Sequence, residues 1–196
     1  MRDVAGRGGL RGALSDRRAL LRLAAAAVVV IAAVVVALLL TRGAPAPSGS
    51  TPVSAHDWTL PRLDRPGQLT LSSFRGRPLV LDFFASWCTS CESELPELAA
   101  LSQQYAGRVA FAGVDSEETS DGLAMAERTG IGSWPLARDV GGRELSGLRD
   151  ALEATPGMPI TAYYDADGRL LHVQLGAESG DDVGRQITTL FHLPRA

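Results

Sequence analysis

Apolar positions in this chain form one long unbroken run, followed by shorter stretches of alternating or helical period. Leu23 to Leu40 (LAAAAVVVIAAVVVALLL) is eighteen apolar residues without a charge. As a helix it rises roughly 27 Å, close to the hydrocarbon thickness of a bilayer. It predicts one transmembrane helix over 23–41. The stretch after it (GAPAPSGSTPVSA, 43–55) is rich in Pro, Gly, Ser and Ala and lacks charge, so residues 42–55 read as a tether. Residues 56–196 then carry the mixed periods of a single globular domain.

Within that domain, short apolar stretches at 57–60 and 68–71 flank the turn-prone Asp64-Arg65-Pro66-Gly67 and predict a small hairpin. PLVLDFF (78–84) is apolar on both alternating faces, as in a central strand covered on both sides, and RVAFAGVD (108–115) is a second buried strand. Between them, Leu95, Leu98, Leu101 and Tyr105 line one side of a helix over 92–105, with Pro96 inside it. Residues 122–129 form a short helix after the acidic turn 115–121, Trp134 to Ala137 a short strand with Trp134 in the core, and 144–152 another helix. Ile160 to Asp165 and Arg169 to Leu175 flank Asp-Ala-Asp-Gly, a second hairpin, with His172 pointing outwards. Asp181 to Leu193 closes the chain as an amphipathic helix with Val183, Ile187 and Leu190 inward.

Charge changes the picture in two ways. Of the 19 basic residues all are arginine, and seven of them fall in residues 1–42 beside two acids, six of the seven before the apolar run. Residues 1–22 therefore read as a basic cytoplasmic tail, and the positive-inside rule places the domain outside the membrane. Ala44-Pro45-Ala46 resembles a cleavage site, so a cleaved and secreted form is the alternative; either way the domain is exported. Residues 43–196 hold twelve arginines against twenty acids, which disfavours nucleic acid as a partner.

Both cysteines of the chain lie in FFASWCTSC (83–91), at the end of the first buried strand, where a helix should begin. Free N–H groups at a helix start stabilise a thiolate over a thiol, which makes Cys88 the nucleophile. Cys91, one turn further in and more buried, is the resolving thiol. Three other readings compete. A structural disulfide this short would remove little unfolded-state entropy, and two unrelated thiols would rarely share this spacing. A zinc site would need His56, His172 or His192, none at a ligand-pair spacing. No metal or cofactor is called for. Asp82 is costly to ionise in a buried strand, so its pKa should rise; it is either the acceptor of the Cys91 proton or a carboxylate satisfied by local hydrogen bonds. Glu92, Glu94 and Glu97 read as a solvated face in the first turns of the helix, favourable with its dipole. A Met158-Pro159 bond before the third buried strand is open to either isomer.

The F-x-A-S-W-C-x-x-C run at 83–91, Glu94-x-Pro96, Gly157-Met-Pro-Ile-Thr161 and Asp165-x-Asp167-Gly168 together resemble the thioredoxin superfamily, and within it the membrane-tethered TlpA-like disulfide reductases that include ResA and the cytochrome c biogenesis thioredoxins. The resemblance runs from about Trp58 to Leu193. It implies an α/β thioredoxin-like fold, a central mixed β-sheet flanked by helices, with an N-terminal β-hairpin and an insertion before the proline loop. It implies that Cys88 attacks and Cys91 resolves, that Pro159 is a cis-proline lining the client groove, that Asp82 is the buried acid and that Trp87 shields the pair. The clients it implies are exported proteins with disulfides or thiols, apocytochrome c foremost, with re-reduction by a transmembrane thiol-electron transporter. Thr89-Ser90 departs from the Gly-Pro or Pro-Pro of most reductants, so an oxidase of exported proteins is the nearest alternative. Cu(I) handling through the two soft thiolates is another, and a thiol peroxidase lacks its Pro-x-x-x-Thr-x-x-Cys turn here.

Overall fold

The computed structural model describes residues 27, 28, 30–32, 54–118, 120–139, 147–154 and 157–195. The basic tail, the tether up to residue 53 and most of the apolar run lie outside them. The five described residues of that run, Ala27, Val28, Val30, Ile31 and Ala32, are helical and exposed. No helix among the described residues is long and apolar enough to cross a membrane. Among the described residues, every strand and all the other helices fall within the unit 51–196.

Its order is β1 (Thr59–Pro61), β2 (Gln68–Thr70), a 3₁₀ turn (Leu71–Phe74), β3 (Leu79–Phe84), α1 (Thr89–Gln104), β4 (Ala110–Ser116), α2 (Gly122–Arg128), β5 (Leu136–Asp139), α3 (Leu148–Ala151), β6 (Ile160–Tyr164), β7 (Leu170–Leu175) and α4 (Gly180–Phe191). The five-stranded sheet runs β5-β4-β3-β6-β7. β3, β4 and β5 are parallel, while β6 and β7 are antiparallel to their neighbours. β3 sits in the middle and every one of its residues is buried, the environment its unbroken apolar sequence demands.

The pleat sorts the sheet's side chains into two cores. Val80, Phe84, Phe111, Leu136 and Tyr163 pack under α1, α2 and α4 together with both cysteines. Leu79, Leu81, Phe83, Ala112, Val114 and Tyr164 face the other way, against Trp58, Leu60 and Leu69 of the hairpin, Phe74, and Leu148 and Leu152. The β1–β2 hairpin does more than cover that face. Arg62 bridges Ala137, and the Leu63 N–H donates to the Leu136 carbonyl at 3.1 Å, which occupies the outer edge of β5 that would otherwise offer unpaired backbone groups.

Two expectations need correction. Glu94 is 3% exposed and belongs to the core, not to a solvated face, because loops from the far end of the chain supply its partners. His172 is half-buried rather than outward: its ring lies 5.9 Å from that of Tyr163 and its Nε2 is shielded from solvent. The pairing of β7 with β6 sets Tyr163 and His172 opposite each other, and two aromatic rings at that position bury each other. The predicted helix over 144–152 survives among the described residues only as α3, and its first residues lie outside them.

Candidate active site

β3 ends at Phe84, and the chain turns through Ala85, Ser86 and Trp87, closed by the Cys88 N–H donating to the Ala85 carbonyl at 3.0 Å. α1 begins three residues earlier than the apolar period predicts. Cys88 is thereby its N-cap, with extended backbone (φ −86°, ψ 99°), and its Sγ accepts the Cys91 N–H at 3.1 Å. Sulfur here occupies the place of the Ser or Asp oxygen in an ordinary cap. A thiolate gains most from that place, since a hydrogen bond to a charged acceptor is worth about 1.5–3 kcal/mol and the helix end adds roughly 0.3–2 kcal/mol. Glu92 in the first turn opposes it little, because Arg128 pairs with that carboxylate at 3.1 Å. Cys88 and Cys91 form a disulfide with Cα atoms 5.3 Å apart, and Cys88 keeps 5% exposure where Cys91 has none.

The two residues before Cys88 are gripped by the loop after β4. Ser86 donates its N–H and hydroxyl to the Glu118 carboxylate at 2.7 and 2.5 Å, and the Trp87 indole N–H donates to the Glu117 carbonyl at 2.8 Å. Burial would raise the Glu118 pKa, yet the bonds from Ser86, from the Ser120 N–H and from Asp115 outweigh it and hold the carboxyl at about 2. Asp115 moves the opposite way, pushed up to about 7 by burial and by its hydrogen bond and charge repulsion with Glu118. The pair therefore holds one proton between two carboxyls near neutral pH. Trp87 remains 47% exposed, an apolar surface beside the sulfurs.

Beneath them lies a buried acidic cluster. Asp82 shares its face of β3 with Val80 and Phe84, whose core contains the cysteines. It is fully buried, and the Thr161 hydroxyl donates to its Oδ2 at 3.3 Å. Burial, then the charge of Glu94, drives its pKa well above the ordinary carboxylate range. Glu94 accepts the Glu178 N–H at 2.7 Å, and burial pushes its carboxyl up to about 7. Glu178 in turn accepts the Tyr163 hydroxyl at 2.6 Å and is also raised by burial. One oxygen of Asp82 and one of Glu94 have no hydrogen-bond partner. Burial thus lifts all three carboxyls above their ordinary range, so that each, when ionised, takes up a proton more readily than a solvated carboxylate would.

The Met158-Pro159 bond is cis. Because Phe83 pairs with Ile160 in antiparallel register, Pro159 lies level with the end of β3, where the chain leaves for Cys88. The sheet thus brings Asp82, Trp87, Cys88, Cys91 and Pro159 to one end, the carboxyl end of its parallel strands. Sequence reasoning missed Glu94, Glu117, Glu118 and Glu178. A signal existed for Glu94 alone: it stands between Cys91 and Leu98 at the i+3 and i−4 positions of the apolar stripe of α1, a core site. Among the described residues no cluster of His, Cys, Asp and Glu could hold a metal ion.

A mixed sheet whose central strand feeds a C-x-x-C helix, with a cis-proline at the same end, defines the thioredoxin-like class. The chain belongs to the AhpC/TSA family of that superfamily, whose profile matches residues 53–173. It is 29% identical over 164 residues to the thiol:disulfide interchange protein DsbE of Allochromatium vinosum, covering 83% of this chain and 86% of that one. It is 24% identical over 117 residues to the thiol-disulfide oxidoreductase ResA of Bacillus thuringiensis, covering 59% and 65%. In structure it is similar to MTB DsbF, with a TM-score of 0.60 at 24% identity over 70% of this chain and 98% of that one. The chain spans between 21% and 65% of the length of several curated relatives it matches.

Proposed function

We propose that this chain is a thiol–disulfide oxidoreductase, held on the outer side of the membrane by residues 23–40, that reduces disulfides in exported proteins such as apocytochrome c. One observation carries the chemistry: the Cys88 sulfur caps a helix start, and Cys91 bonds to it from one turn away. In the forward reaction the Cys88 thiolate attacks a client disulfide, an S–S bond forms to the client, and the client's other sulfur leaves as a thiolate. Cys91 then loses its proton to Asp82 and attacks the Cys88 sulfur. The client departs with two electrons, and the chain is left as the Cys88–Cys91 disulfide. Protons taken up by the client match those lost by the enzyme, and Asp82 hands its proton on. Pro159 and Trp87 form the walls along which the client backbone lies.

The direction of electron flow rests on the likeness to TlpA-like proteins and to the relatives above, and the apolar run and the arginines before it support the extracytoplasmic side. Re-reduction then requires a transmembrane thiol-electron transporter. Equilibrating the full chain with glutathione redox buffers tests the direction. A reductant has a Cys88–Cys91 potential well below that of the surrounding thiol pool, and a value well above it would make the chain an oxidase. Trapping with Cys91→Ala identifies the client, because that variant keeps the covalent intermediate.

A further inference from the structure

The segment between β5 and the cis-proline has no part in the chemistry described so far, yet it places an arginine in the core. Arg149, on α3, is 1% exposed. Burying a guanidinium costs several kcal/mol even when it is paired. Its neighbours Leu148 and Leu152 show that an apolar side chain packs well on the same short helix. A leucine, however, cannot hold several strands of chain at once. The Arg149 backbone N–H donates to Asp139 Oδ2 at 3.1 Å, fixing α3 to the end of β5. Its Nε donates to the Ala154 carbonyl at 3.2 Å and its Nη2 to the Gly157 carbonyl at 2.6 Å. Its Nη1 lies 2.5 Å from Glu117 Oε2, an ion-pair contact without the angle of a hydrogen bond.

These contacts join the two sides of the site. Gly157 stands two residues before cis-Pro159. Glu117 holds the Trp87 indole through its own carbonyl, and does so in a left-handed backbone conformation (φ 54°) that a glutamate adopts only when its surroundings enforce it. From one wall to the other the connection runs Pro159, Gly157, Arg149, Glu117, Trp87, and the planar, fork-shaped head of an arginine is the group able to span it.

We propose that Arg149, through Glu117, is a positioning residue that sets the gap between Trp87 and the Met158-Pro159 turn, and so governs how well an extended polypeptide fits beside Cys88. This rests on the reading of the site as a thiol–disulfide exchange centre for protein clients. A small disulfide reaches Cys88 without filling the gap, whereas a polypeptide must lie in it. Loosening the clamp therefore penalises the two unequally.

The test uses the full-length protein, wild type against Arg149→Lys, Arg149→Met and Glu117→Gln, with insulin as polypeptide disulfide and oxidised glutathione as small disulfide. Each variant is expected to raise KM for insulin by about tenfold more than it lowers the rate with glutathione, since misplacing a substrate by about 1 Å has effects of that size or larger. Arg149→Lys, which keeps the charge but loses the fork, should fall between wild type and Arg149→Met. Acrylamide quenching gives a readout independent of activity. Trp87 is 47% exposed against 1% and 7% for Trp58 and Trp134, so quenching reports Trp87 and should rise in all three variants. Equal losses on both disulfides, or an unchanged KM for insulin, would overturn the proposal. Should Arg149→Met fail to fold, Glu117→Gln decides, as Glu117 is 22% exposed at its side chain. Wild-type protein inactive on both disulfides would sink the functional reading, while unaltered quenching in Glu117→Gln would sink the clamp itself.

Discussion

Glu94→Gln isolates the cost of burying acid beneath the sulfurs. The substitution keeps an oxygen to accept the Glu178 N–H and removes only the ability to ionise. In the folded wild type the Glu94 pKa is about 7, against an ordinary 4.5. A raised carboxyl binds its proton more tightly when folded, so the stability it contributes is complete below the unfolded pKa and is lost as pH rises through the folded one. Between pH 5 and pH 8 the loss comes to about 2–3 kcal/mol, each tenfold difference in proton affinity between the folded and unfolded chain being worth roughly 1.4 kcal/mol. Glu94 is 3% exposed, so solvent screening takes little from that figure. Its charge also raises Asp82, and removing it relieves a second loss of the same sign. Urea unfolding of the disulfide form at pH 5 and pH 8 should show the wild type weakening by about 2–3 kcal/mol more than Glu94→Gln. Equal pH slopes in the two proteins would refute this reasoning.

Other consequences follow from the same geometry. Asp82→Asn should slow release of the mixed disulfide by about a hundredfold or more near neutral pH, while the first attack by Cys88 changes far less; quenched-flow separation of the two steps checks this. The same variant should gain stability relative to wild type as pH rises, because burial disfavours the Asp82 charge, which unfolding at pH 8 measures. Gly122→Ala would set a Cβ 2.5 Å from the Asp115 carboxyl; thermal unfolding should show a loss of about 1–3 kcal/mol, and a neutral result would mean that this acid pair is looser than described.

How much of this was legible in the sequence depends on how far each signal travels along the chain. β3 announced itself because a strand covered on both faces is apolar at every position, and the hairpins because their turns are local chemistry. The cysteine pair was readable since its spacing and its place after β3 are properties of nine consecutive residues. Glu94 was not, because its partner Glu178 lies 84 residues away and nothing in the early turns of α1 separates a buried acid from a solvated one except the stripe it shares with Leu98. Glu117 and Glu118 looked like a polar turn. Their work, holding Trp87 and Ser86, exists only once the parallel pairing of β3 and β4 sets the two loops side by side. The isomer of Pro159 was open in the local sequence, and only the resemblance pointed to the cis bond that the structure has.

Ionisation of one sulfur at a helix end underlies every step of the exchange. Iodoacetamide labelling of the reduced protein across pH, with labelled cysteines separated by peptide mapping, measures this directly. Cys88 should react at pH values well below the range of a free thiol, about 8.5, while Cys91 stays protected. Labelling of Cys88 with the pH profile of an ordinary thiol, or preferential labelling of Cys91, would contradict the claim.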